Sequence, residues 1–245
     1  MINLVEGLNI YCYWRNRPIK GAEFLQQARA FLQEIQKAFP ALSVLQIVKS
    51  EEFVSSDYSN FEKQMMEDLA KSDMAFLNPD PSYKGFTLQS TAAVCFSGGF
   101  LLNDAIENMV SDSAMYINLG IGATDVTSTN VVSVHINDRF ATDEVTRSLF
   151  RICISFWQPH NARVSRGAIS RKLKQPRGEI RVGLLTYLSD KSARNVLPSD
   201  VEVELLSTGI LIQAGSEHVD VDDDEGIKRL TSIAENLRSS GYLAQ

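Results

Sequence analysis

The sequence predicts an α+β fold: a mixed, mainly antiparallel sheet or pair of sheets packed with about four to five helices. Three observations carry that expectation. Short apolar stretches alternate with period two, as Val201, Val203 and Leu205 do against Glu202 and Glu204. Longer stretches repeat every three or four residues, as Ile227, Leu230, Ile233, Ala234 and Leu237 do. Tight turn residues such as Ser207-Thr208-Gly209 join successive strands.

Taken in order, Leu8 to Trp14 is aromatic and β-branched, as a strand requires, and the sequence Arg15-Asn16-Arg17-Pro18 ends it. A long helix follows, with Phe24, Leu25, Ala28, Phe31, Leu32, Ile35 and Phe39 on one face and Pro40 closing the run. Leu42 to Val48 is a short strand, and Glu51-Glu52 leads into a loop. Ser59 and Glu62 have capping-box spacing for a helix that carries Phe61, Met65 and Leu69, with the methionines as core filler. Asn78 to Ser82 is a loop by its turn residues, Phe86 to Phe96 is one strand or two, and Asn103 to Val110 is a short helix. Met115 to Leu119 and Val131 to Ile136 are strands. Thr142 caps a helix whose stripe is Val145, Leu149, Ile152, Cys153 and Phe156 and which stops before Pro159.

The C-terminal stretch is the best specified. It runs strand (Ile180 to Leu188), turn (Asp190 to Asp200), strand (Val201 to Leu206), strand (Ile210 to Ala214), acidic loop (Glu217 to Glu225) and helix (Ile227 to Arg238), with Gly241 as a left-handed stop. The chain reads as a single domain over 1–245, with a division into 1–160 and 161–245 as the alternative.

Composition bounds the function. A chain of 245 residues that is 44% hydrophobic buries about three quarters of its unfolded surface and needs no staples. Thirty acidic against twenty-four basic residues give a net charge of −6, which argues against general affinity for nucleic acid or an anionic membrane. Cys12, Cys95 and Cys153 are far apart in apolar runs, so they read as buried free thiols in a reducing compartment. Neither a secretory signal nor a membrane-length apolar run is present, and a cytoplasmic location is expected.

The charge is also segregated. Arg163, Arg166, Arg171, Lys172, Lys174, Arg177 and Arg181 form a basic segment, which reads either as a flexible, solvated connection or as a contact for acidic groups on a partner or on the chain itself. About forty residues later, six carboxylates, Glu217, Asp220, Asp222, Asp223, Asp224 and Glu225, crowd into nine residues. Two readings of them stay open. Asp223, Asp224 and Glu225 suit the positive end of the following helix, each by about 0.3–1 kcal/mol at the surface. Glu217, Asp220 and Asp222 lie outside its first turn, and a dense anionic loop resembles the phosphate pattern that a basic, nucleic-acid-handling protein grips.

No catalytic constellation emerges. Gly120-Ile121-Gly122 lacks the third glycine of a dinucleotide fingerprint, and no phosphate-binding loop is present. Ser97 lacks the upstream glycine of a nucleophile elbow. His135, His160 and His218 are scattered, and His135 reads as a satisfied structural residue. Counted from Asp220, an EF-hand would need Gly where Glu225 stands and Glu where Thr231 stands, so that match fails. No cofactor and no metal are implied.

Four short segments carry a family resemblance. Tyr13-Trp14-Arg15-Asn16-Arg17-Pro18, after a first strand and ahead of a long helix, resembles the opening of the immunity protein 52 family, antitoxins of bacterial polymorphic toxin systems. Trp157 to Ala162, leaving a helix for a strand, is similar to that family's central motif. Gly183 to Ser189 looks like its signature strand, and Gly209 to Ile212, followed by an acidic loop and a last helix, resembles its C-terminal end. Arg15 and Leu185 depart from the family, which tends to have glycine and a bulky aromatic there. The resemblance implies a non-enzymatic α+β protein that neutralises a cognate secreted toxin, usually a nuclease and often one delivered by a type VI secretion system. By its charge, the acidic loop supplies the candidate toxin-binding residues, Glu217, Asp220, Asp222, Asp223, Asp224 and Glu225. The resemblance implies no residue-level contacts, and Trp14 and Tyr187 are expected to pack inside. Two other classes compete: an adaptor or chaperone for a secreted effector, and a metal-dependent hydrolase using Asp220, Asp222 and His218.

Overall fold

The computed structural model describes residues 7–15, 21–42, 44–47, 52–70, 90–97, 114–121, 129–176, 179–214 and 222–244. Their order is β1 (Gly7–Arg15), α1 (Gly21–Ala38), β2 (Val44–Ile47), β3 (Glu52–Val54), α2 (Phe61–Ala70), β4 (Ser90–Ser97), β5 (Met115–Ile121) and β6 (Thr129–Asn137). Then follow α3 (Asp143–Trp157), β7 (Asn161–Arg166), α4 (Gly167–Lys172), β8 (Leu185–Leu188), a 3₁₀ turn (Lys191–Val196), β9 (Glu202–Leu206), β10 (Gly209–Gln213) and α5 (Asp224–Ser239). The fold is α+β, as expected. All strands join one antiparallel sheet in the order β3-β2-β4-β5-β6-β1-β7-β8-β10-β9.

Strand β1 is the middle of that order. It pairs with β6 through Ile10↔Val134 and Cys12↔Val132, and with β7 through Tyr11↔Arg163 and Cys12↔Ala162. Period two sends Leu8, Ile10, Cys12 and Trp14 to one side, each no more than 2% exposed. The helices α1 and α3 cover that side. The Trp14 and Trp157 rings stack at 5.8 Å, and Phe31 of α1 meets Trp157 edge-on at 5.2 Å. Each such pair contributes about 0.5–1.5 kcal/mol beyond its buried area. Cys12 and Cys153 are buried free thiols in the same layer. Burial pushes the Cys12 thiol well up, and Cys153 beside it acts in the same direction.

The helix ends follow local chemistry. Thr142 Oγ1 accepts the Val145 amide at 3.2 Å, the cap expected for α3. At the other end Gln158 turns left-handed (φ 45°) ahead of Pro159. Helix α5 ends with Gly241 at φ 83°, where the Gly241 amide reaches Arg238 O and the Tyr242 amide reaches Leu237 O, the two bonds of a Schellman motif. The β9–β10 hairpin needs Gly209 for another reason: a Cβ there would lie 2.2 Å from the Leu188 carbonyl oxygen.

Several expectations are corrected. Of the strand drawn over Ile180 to Leu188, only the last four residues pair as β8, because the amides before it find other acceptors. Ile180 donates to Leu243 O and Val182 to Gln175 Oε1, while Glu179 bridges to Ala244. Glu51-Glu52 does not lead straight into a loop: Glu52–Val54 is β3, paired with β2 from Leu45↔Val54 to Ile47↔Glu52. The turn from Asp190 to Asp200 holds a 3₁₀ turn begun by Asp190, whose carboxylate accepts the Ser192 amide at 2.9 Å. The Ser59 amide goes to Asp57 Oδ1 at 3.0 Å, and α2 begins at Phe61. The expected helix over Asn103 to Val110 and the loop over Asn78 to Ser82 lie outside the described residues, and Phe86 to Phe96 is described only from Ser90, as β4. Among the described residues no helix is long and apolar enough to cross a membrane.

Candidate partner-binding surface

The acidic segment divides at the start of α5. Glu217 and Asp220 lie outside the described residues, as does His218. Asp222, Asp223, Asp224 and Glu225 are all exposed but do different things. Asp223 caps α5, its Oδ1 accepting the Gly226 amide at 2.9 Å, and this is why the helix starts three residues before Ile227. Asp224 receives Lys172 Nζ at 3.0 Å. That bond and the nearby Lys228 hold its carboxyl below the usual carboxylate range. Asp222 and Glu225 are the remaining two, and among the described residues no ion pair engages either.

The N-terminus of α5 borders an open depression of about 540 Å³, with Pro198, Asp200 and Val201 on one side and Asp223, Glu225 and Arg229 on the other. Arg229 leans across it, its Nη2 donating to Asp200 O. The described part of this surface is therefore mixed in charge. Exposed pairs such as Lys172–Asp224 contribute about 0.2–1 kcal/mol each and rearrange readily when a partner offers better geometry. Among the described residues no group of His, Cys, Asp or Glu is arranged to hold a metal ion.

The basic segment is not a flexible, solvated connection, because most of it is regular structure. Arg163 sits in β7, Arg166 ends it, and Arg171 and Lys172 close α4. Arg166 pairs with Asp138 at 2.6 Å and Lys172 with Asp224, so among the described residues the contact with acidic groups is made within the molecule twice, the second time with the acidic segment itself.

Arg163 is the residue that a reading by charge runs misses. Its neighbour across β1 is Tyr11, so both side chains lie on the face away from α1 and α3. Arg163 is 6% exposed, and its guanidinium sits 5.0 Å above the Tyr11 ring. Such a cation–π contact contributes about 0.5–2 kcal/mol, less than the cost of burying the charge. Burial pulls Arg163 below the usual guanidinium range; the Tyr13 phenol opposes this, and Arg181 adds to it. Tyr13 is itself pushed up by burial, with Arg163 acting against the rise. On the same face Asn9, Tyr11, Tyr13, Tyr116, Asn118, Ser133 and His135 are half-buried. Asn9 Oδ1 and His135 Nδ1 are 3.1 Å apart, which fits the satisfied histidine expected there. Trp14 and Tyr187 pack inside, at 2% and 1% exposure.

No protein-family model matches the sequence, and no curated protein matches it. Solved structures resemble the fold. One of them is the Pseudomonas aeruginosa T6SS protein PA0821, at a TM-score of 0.55 and 13% sequence identity, covering 95% of this chain and 76% of that one. At that identity the likeness extends to the fold: the α+β architecture recurs where the side chains do not.

Proposed function

We propose that the chain is an immunity-type protein of the immunity protein 52 kind, which binds a cognate secreted antibacterial effector, a nuclease, and neutralises it by direct contact. The observation that carries the reading is a pair of exposed carboxylates that no ion pair among the described residues engages: Glu225, which lines the depression beside α5, and Asp222, next to the helix cap Asp223. A nuclease must present cationic groups to hold phosphates, so an acidic surface on another protein complements it. Glu217 and Asp220 would extend the same surface, with Asp223 and Asp224 at its root. The fold's likeness to a T6SS protein supports a role in that setting. In this reading the chain makes and breaks no bonds of its own and works in the cytoplasm, where its effector would act.

Co-expression with the effector encoded beside it, scored by survival, tests the proposal. Protection supports it; cells that die as readily as naive ones overturn it, and an adaptor would leave the effector active and give that second result. A variant with Asp220, Asp222, Asp223 and Asp224 all changed to Asn keeps a helix cap at position 223. It should associate about tenfold more slowly with the effector and lose salt dependence. Unchanged salt response with full protection would remove this surface from the interface. Equilibrium dialysis showing one tightly held divalent cation per chain would favour a hydrolase built on Asp220, Asp222 and His218 instead.

A further inference from the structure

Buried charges in folded proteins are paired, hydrogen-bonded to saturation, or held for a ligand. Arg163 is 6% exposed, and its Nε is sealed from solvent with no hydrogen-bond acceptor. No carboxylate of the described residues bears on it: beyond burial, the groups that act on it are Tyr13, whose phenol also hydrogen-bonds the guanidinium, Tyr11 and a second cation, Arg181. Nor is it a displaced surface residue, since its register against Tyr11 is fixed by a ladder running from Leu8↔Arg166 to Tyr13↔Asn161. The charge is thus built into the sheet with no counter-ion among the described residues, beside a face whose tyrosines are half-buried and carry hydroxyl donors.

We propose that Arg163, with Arg181 and the phenols of Tyr11 and Tyr13, forms a binding site for a carboxylate. A guanidinium presents its donors in one plane, which matches the two oxygens of a carboxylate. The aromatic ring beneath it fixes that plane. The planar fork matches the coplanar oxygens of a carboxylate better than a tetrahedral array, and a buried site favours the ion with the smaller charge to desolvate. Asn9 and Ser133, on the same face, are partly exposed and mark the side nearest to solvent. This site lies on the sheet face and is independent of the acidic surface at α5, so it stands or falls separately.

The test uses the whole chain and three salts at matched ionic strength: sodium acetate, sodium phosphate and sodium chloride. Acetate should move the Arg163 Nε resonance saturably and raise Tm by about 3 °C near tenfold excess over its Kd. Phosphate should bind about tenfold more weakly, and chloride should give only general screening. In Arg163→Met the acetate-specific rise in Tm should vanish, and in Arg163→Lys acetate should bind about tenfold more weakly, because the fork is lost. An unmoved Nε resonance, equal effects of all three salts, or phosphate binding more tightly than acetate would overturn the proposal. Should Arg163→Met fail to fold, the wild-type resonance still decides. A blocked Gly-Asp-Gly peptide separates the sources: binding at least fivefold tighter than acetate assigns the carboxylate to a polypeptide, and equal binding to a small carboxylate.

Discussion

On one side of β1, Leu8, Ile10, Cys12 and Trp14 are sealed under α1 and α3; on the other, Asn9, Tyr11 and Tyr13, from the same nine residues, stay half-buried around an arginine with no counter-ion among the described residues. Backbone bonding is the same for both sets, since each belongs to ladders with β6 and β7. What differs is the material above them. The apolar side is closed by stacked tryptophans and rigid packing, which leaves little for a ligand to change. The polar side holds Arg163, whose buried Nε has no acceptor among the described residues, and a buried donor of that kind gains more from a second molecule than a closed apolar layer does.

The largest contrast should come from truncating each side in turn. Trp157→Ala should cost about 3–5 kcal/mol in urea unfolding, through lost burial and the cavity left against Trp14 and Phe31. Tyr11→Ala on the other side should cost well under half of that, and equal losses would end the distinction between the faces. Next in size is Gly209→Ala in the β9–β10 hairpin. Its new methyl would strike the Leu188 carbonyl, and overpacking of this kind costs about 1–3 kcal/mol. Thr142→Ala, measured the same way, should lose about 1 kcal/mol by leaving the Val145 amide without its cap.

The smallest effect separates the faces by pH. Burial lowers the His135 pKa below 6.5, and Asp138 only partly offsets it. The unfolded chain therefore takes up the proton first. Stability from this residue is whole above the unfolded value, declines as pH falls below it, and levels off under the folded pKa. Against His135→Gln, the wild type should lose ground between about pH 7.5 and about pH 5 in paired urea titrations. A constant gap across that range would mean that the imidazole is not held neutral by its surroundings.

Local patterns told much of this in advance. The cap at Thr142, the stop at Gly241, the apolar stripes of α1, α3 and α5, and the inward Trp14 and Tyr187 all depend on chemistry within a few residues of chain. The strand Leu185–Leu188 was harder, because what shortens it is Gln175 and Leu243, neither a local neighbour. β3 was missed because three residues beginning with Glu52 carry too little period-two signal. Arg163 was hidden among seven basic residues, and a charge run reads as solvated until the register of β7 places one member over a tyrosine. Lys172 and Asp224 are 52 positions apart, so segregated charge suggested their meeting without specifying which residues would meet.

The order of strands carries a last consequence. The outermost positions belong to β3, three residues long, and to β9, where Glu202 and Glu204 interrupt the apolar residues and Arg151 of α3 grips Glu204. A ten-stranded antiparallel array would otherwise offer two ready templates for recruiting further copies end to end. Brevity at one described border, and at the other the exposed Glu202 beside an ion pair that ties the strand to α3, are devices that disfavour edge-to-edge pairing even with Phe53 and Leu205 exposed there.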